Sequence, residues 1–129
     1  MKSLDPFIIA PLIEQALRED LEHGDITTDL TVPPDQQAEA EIVAKEKGVC
    51  AGLAAAETAF RILDPGSSFQ RMVQDGQEFD SGQVLLAIRA SARAILKAER
   101  TALNLLQRMC GIATLSRAFV REVRGTGCR

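Results

Sequence analysis

The stretch ERTALNLLQRMCGIAT, Glu99 to Thr114, sets charged groups into an apolar frame at helical spacing. With the helix started at Ala92, the residues Ala92, Ile95, Leu96, Ala102, Leu103, Leu106 and Met109 form an apolar stripe, and Glu99 falls inside it between Leu96 and Leu103. A buried carboxylate must find donors or hold a proton. Glu99 therefore reads either as a structural anchor or as a group with a direct chemical role, the anchor being the ordinary case. Arg93, Lys97, Arg100, Asn104, Gln107 and Arg108 make the other face. Arg93, Lys97 and Arg100 repel one another at this spacing unless an anion lies among them. From spacing alone two readings stand, a solvated face or an anion site. Arg100 suits the second because a guanidinium offers a fixed fork of donors that matches a planar carboxylate.

Other constellations are weaker. His23 is the single histidine and reads as a loop residue beside Glu22 and Asp25, so neither a Ser-His-Asp nor a Cys-His set can be assembled. Neither G-x-x-x-x-G-K-[ST] nor G-x-G-x-x-G occurs, which leaves no phosphate-cradling loop of those kinds. The three cysteines, Cys50, Cys110 and Cys128, are far apart in sequence and odd in number, and they read as reduced thiols rather than a disulfide framework or a metal site. In EHGDITTDLTVPPDQQ, Asp25 and Thr28 read as local backbone caps in a long loop, the kind of loop that also carries function.

These residues need a scaffold. Ile9, Leu12, Ile13, Ala16, Leu17 and Leu21 repeat at three and four, which predicts an amphipathic helix over 6–21. Ala38, Ala40, Ile42 and Ala44 alternate with Glu39, Glu41, Val43 and Lys45, a half-buried strand ending in a turn at Gly48. LAAAETAFRIL returns to helix, and Pro65 and Gly66 stop it. Short strands follow, with turns at Asp75-Gly76 and Ser81-Gly82. A helix from Ala92 to about Met109 is expected to break at Gly111 before a second helix over 114–124. Strands grouped between helices predict an α+β fold with helices packed on an antiparallel sheet. The closing GTGCR follows a helix where a strand should begin, which reads as a cut inside a larger fold.

The chain has 129 residues and a net charge of -3, with no Trp, no Tyr and five Phe. Its length suits one compact domain. Mild acidity and the lack of a basic block argue against a nucleic-acid partner. No apolar run approaches the roughly 20 residues of a membrane span. The N-terminus does not read as an export signal, so a cytoplasmic location is expected.

Three segments together resemble the quinolinate phosphoribosyltransferases, also called nicotinate-nucleotide pyrophosphorylases (carboxylating): LREDLEHGDITTDLTVP, AKEKGVCAGLAAAETAF and ERTALNLLQRMCGIATLS. The resemblance covers essentially the whole chain and the first part of the family's length. It implies a hammerhead-like N-terminal α+β domain over 1–110, then 111–129 as a linker helix that would enter an open α/β barrel, the barrel being absent. It further implies the joining of quinolinate to 5-phosphoribosyl pyrophosphate with Mg²⁺ and loss of CO₂, giving nicotinate mononucleotide and pyrophosphate in NAD biosynthesis. It implies a homodimer in which each N-terminal domain closes over the partner's barrel, with the motif arginine, Arg100, reaching a quinolinate carboxylate. Glu99 stays a structural candidate, and no catalytic residue or metal ligand is carried over. The family's remaining substrate and Mg²⁺ groups lie in the barrel, so this chain alone is expected to be inactive, with Leu115, Ala118, Phe119 and Val123 forming an apolar edge meant for barrel strands. Relatives such as nicotinate phosphoribosyltransferase or the molybdenum-transport-associated homologue, and a stand-alone dimerisation or regulatory module, are the alternatives. Val73 to Ile88 also resembles the turn-and-strand pattern of biotinyl and lipoyl domains, but Lys45 and Lys47 lack the flanks of a modified lysine.

Overall fold

The computed structural model describes residues 5–22 and 31–126. His23, Asp25 and Thr28 of the expected loop lie outside the described residues, as does Cys128. Helix α1 spans Pro6–Glu22, as the apolar spacing predicts. Its buried edge is Ile13 and Leu17, with Ile9 partly buried beside them. Leu12, placed in that stripe by sequence, is exposed with Phe7 and Ile8. The contact face is narrower than the periodic pattern because α1 packs chiefly on one helix, α2.

Strand β1 (Gln37–Val43) alternates as expected, with Ile42 buried and Glu39, Glu41 and Val43 outward. The chain bends at Lys45–Glu46, and Gly48 is not the turn: Gly48–Val49 form the short strand β2. A Cβ on Gly48 would stand 3.0 Å from both Phe79 Cζ and Thr114 Oγ1, so a larger residue would have to push those side chains aside. Helix α2 (Leu53–Leu63) is buried on all sides over its first two turns, which explains its alanine content. Asp64 then ends it, accepting from Gly66 N–H at 3.0 Å and Ser91 N–H at 2.7 Å.

Strands β3 (Ser68–Arg71), β4 (Glu78–Phe79) and β5 (Val84–Ser91) complete two antiparallel sheets, ordered β1-β5-β3 and β2-β4. Ala40 faces Ile88 and Phe69 faces Ile88 from the other side, so β5 is the central strand. The Asp75-Gly76 and Ser81-Gly82 turns form as expected, with Gly76 and Gly82 at positive φ. Helices on antiparallel strands, the expected α+β fold, is the observed one. The core joins α1, α2, β5 and the first half of the last helix around Phe60, Leu53 and Leu86.

That last helix, α3, runs unbroken over Ala92–Thr126, about 50 Å of axis. Ser91 caps it by accepting from Ala94 N–H at 3.1 Å. The expected break at Gly111 does not occur. One glycine costs a helix about 1 kcal/mol relative to alanine, and packing on both sides of it prevails. Cys110 and Ala113 are buried, and Thr114 Oγ1 accepts from Val49 N–H at 2.9 Å. Further along, Arg117 donates to Gly76 O at 2.6 Å and Arg121 pairs with Glu78.

Candidate functional site

The buried face of α3 is Ala94, Ile95, Ala98, Thr101, Ala102, Leu106 and Cys110, with Leu105 and Met109 partly buried. At its centre Ala98 and Ala102 are fully buried, as are Ala56 and Ala59 of α2 in the same core. Small residues let the two helices approach closely. The contact stripe is therefore centred on alanines rather than on the leucines the periodic reading favoured. That rotation corrects the placement of Glu99: it is exposed, and Leu96 and Leu103, which flank it, are exposed as well. Glu99 is not a carboxylate held inside an apolar stripe.

Arg100 also faces outward, with its side chain 77% exposed. Leu96 precedes it by four residues and Leu103 follows by three, so two exposed leucines stand beside the guanidinium on one face. Its acid partner is on neither its own face nor its own helix. Asp20, near the end of α1, accepts from one terminal nitrogen of Arg100 at 3.3 Å. Asp20 is partly buried (25%), whereas the arginine is not. An exposed pair at this distance contributes about 0–1 kcal/mol, so a planar anion could share or replace it. Sequence reading missed Asp20 as this partner, although it stands in the LREDLEHGDITTDLTVP segment, because the pairing spans 80 residues and depends on how α1 crosses α3.

The neighbouring cations behave differently. Arg93 Nε donates to Val32 O at 2.7 Å, and Lys97 has an interaction of its own. Arg108 is exposed. The structure thus separates the expected row of cations: Arg93 ties α3 to the segment before β1, and Arg100 presents its fork outward. Among the described residues no group of three or more His, Cys, Asp or Glu could hold a metal ion. A groove of about 720 Å³ opens further along α3, lined by Val49, Ala51, Met109, Ile112, Ala113 and neighbours, and Arg100 is not part of its wall.

Two further groupings were hidden in the sequence. Glu57, buried in α2, accepts from Arg71 Nε at 2.7 Å and from a terminal nitrogen of Arg71 at 3.0 Å. The hydrogen bonds it donates to Glu57 raise the Arg71 guanidinium above its already high range. Cys50 and Cys110, far apart in sequence, are brought together beside Ala51.

The family model described as quinolinate phosphoribosyl transferase, N-terminal domain, matches residues 25–110. Nicotinate-nucleotide pyrophosphorylase (carboxylating) of Mycobacterium leprae is 45% identical over 120 residues, covering 88% of this chain and 41% of the relative. Quinolinate phosphoribosyltransferase (decarboxylating) 1b of Nicotiana tabacum is 41% identical over 109 residues, covering 84% of this chain and 31% of the relative. The chain thus spans well under half the length of these curated relatives. The crystal structure of NadC from Streptococcus pyogenes superposes with a TM-score of 0.86 at 38% identity, over 92% of this chain and 43% of that one. The nicotinate-nucleotide pyrophosphorylase structure from Ehrlichia chaffeensis gives 0.80 at 32% identity.

Proposed function

The chain belongs to the quinolinate phosphoribosyltransferase family through that family's N-terminal domain, and from that premise we propose that it forms the N-terminal portion of an enzyme joining quinolinate to 5-phosphoribosyl pyrophosphate. The products are nicotinate mononucleotide, CO₂ and pyrophosphate, a step of NAD biosynthesis. The observation that carries the reading is Arg100. It occupies the arginine position of the ERTALN motif, it is solvent-facing, and one 3.3 Å contact from Asp20 engages one of its nitrogens. Quinolinate carries two carboxylates on a flat ring. A guanidinium fork binds such a carboxylate through parallel hydrogen bonds, and Leu96 and Leu103 give the ring an apolar border.

In this reading Arg100 binds and orients quinolinate so that its ring nitrogen faces the ribose carbon. Orientation of two reactants contributes a large share of such a barrier. Positive charge develops at the ribose as pyrophosphate departs, and groups that neutralise the leaving pyrophosphate lower that barrier. Mg²⁺ would supply part of that neutralisation, and among the described residues no group of three or more His, Cys, Asp or Glu could hold it. Arg100 points away from its own core, and in this reading the rest of the site comes from another surface. A homodimer with domains crossing between subunits supplies one, and the exposed Phe7, Ile8 and Leu12 of α1 offer apolar area for association. Among the described residues no helix is long and apolar enough to cross a membrane. A cytoplasmic location belongs to the same proposal, although some plant relatives are named as mitochondrial or chloroplastic.

The test is turnover. The chain alone, given quinolinate, 5-phosphoribosyl pyrophosphate and Mg²⁺, should form no nicotinate mononucleotide. Joined to the C-terminal remainder of the M. leprae relative, it should form it. Product from the chain alone, or a folded chimera that binds neither substrate, would overturn the reading.

A further inference from the structure

Two thiols from distant parts of the chain meet at the junction of β2 and α3. Cys50 follows β2 and has no exposed surface, and Cys110 lies on α3 with 8% exposed. Ala51 holds the second sulfur from both sides: Ala51 N–H donates to Cys110 Sγ at 3.4 Å, and the Cys110 thiol lies 3.4 Å from Ala51 O. Cys50, the residue before Ala51, has its thiol 4.0 Å from Asp75 Oδ1, and the two cysteines shift each other's ionisation. Both cysteines are free. Ala51, Met109 and Ala113, the neighbours of the two thiols along the chain and along the helix, line the groove of about 720 Å³, and Cys110 behind them keeps a small exposed surface.

We propose that Cys50 and Cys110 form a dithiol modification site that a hydroperoxide converts to an intramolecular disulfide, with Cys110 attacking and Cys50 resolving. The Cys110 thiolate attacks one peroxide oxygen. The O–O bond breaks, hydroxide leaves and takes the proton that Cys110 gave up, and a sulfenic acid remains on Cys110. The Cys50 sulfur then attacks that sulfur. The S–O bond breaks, and the departing hydroxide takes the Cys50 proton as a second water. Both sulfurs are oxidised and both peroxide oxygens reduced, so two thiols and one hydroperoxide give one disulfide and two waters, or a water and an alcohol when the peroxide is organic.

The environment divides the roles. The hydrogen bond from Cys50, with the Ala51 N–H, outweighs burial and brings Cys110 down to about 7. The same hydrogen bond, with burial and the charges of Cys110 and Asp75, pushes Cys50 up. The attacking sulfur is therefore the one with thiolate character near neutral pH. The bond would staple β2 to α3 and close a loop of some 60 residues, which restricts the unfolded chain.

The experiment uses the full chain with Cys128→Ser, so that these are the two thiols that can react. Hydrogen peroxide in slight excess should remove the mass of two hydrogens from the monomer and abolish free-thiol titre. A disulfide-linked pair of peptides containing Cys50 and Cys110 should appear, and dithiothreitol should reverse it all. The oxidised chain should melt higher by on the order of 10 °C. With Cys50→Ala the reaction should stop at a sulfenic acid on Cys110 that dimedone traps. With Cys110→Ala, Cys50 should stay reduced. Circular dichroism checks that each variant is folded, and the unsubstituted pair alone decides if either is not. Two free thiols after treatment of the folded chain, or a link formed only in urea, would overturn the proposal.

Discussion

Gly52 carries the sharpest backbone demand in the chain. It precedes α2 at φ 91°, and an added Cβ would lie 2.6 Å from Met109 Sδ and 3.1 Å from Met109 Cβ. The methionine tip can move, but its Cβ is fixed to α3. Gly52→Ala should therefore cost about 2–3 kcal/mol, from left-handed strain and displacement of α3 together. Urea unfolding would show it, and an unchanged midpoint would mean that α3 is not held where Met109 places it. The residue scale also shows what sequence could not give. Arg100 stood out by type and company, and it is solvent-facing. Glu99 was misplaced because a period of 3.6 leaves the centre of a stripe uncertain by about one residue. The choice between leucines and alanines as that centre was made by the approach of α2.

Among the elements, α3 departs most from its sequence reading. Gly111 looked like a break because glycine is a poor helix former, yet Cys110, Ala113 and Thr114 carry the helix across it. A Cβ at Gly111 meets nothing within 4 Å. Gly111→Ala should stabilise the chain by about 1 kcal/mol, read as a higher urea midpoint. A lower one would mean that α3 bends there in solution. Beyond Gly111 the helix is tethered by charge. Arg121 donates to Glu78, with Arg117 and Lys47 adding to it, and these hold the Glu78 carboxyl below its usual range. A carboxyl lowered on folding contributes stability that is present above its unfolded value and fades as pH falls through its folded one. The Glu78 side-chain carbon should thus titrate below the usual glutamate range, and the depression should shrink in high salt. A midpoint within the usual range at low salt would contradict the tether. The helices and strands were legible because periodicity and turn residues report burial directly. The pairings Cys50–Cys110, Glu57–Arg71 and Asp20–Arg100 were not, since each joins residues whose meeting depends on the tertiary arrangement.

At the scale of the whole molecule, apolar surface remains outside the core. Phe7, Ile8 and Leu12 of α1, Leu96 and Leu103 of α3, and Ile112, Leu115 and Phe119 further along it are exposed. Large exposed apolar groups on a folded chain favour association. The purified chain should self-associate in a concentration-dependent way, which sedimentation would detect; a monomer at high concentration would remove this support for a dimer. The central claim is narrower, that Arg100 holds a carboxylate of quinolinate. The most direct measurement is steady-state kinetics of the chimera with the M. leprae C-terminal remainder, comparing Arg100 with Arg100→Ala and Arg100→Lys. The account predicts a loss of about a hundredfold or more in kcat/KM for quinolinate with alanine, partial recovery with lysine, and little change in KM for 5-phosphoribosyl pyrophosphate. Unchanged kinetics for quinolinate in a folded Arg100→Ala chimera would contradict it and return Arg100 to the solvated surface.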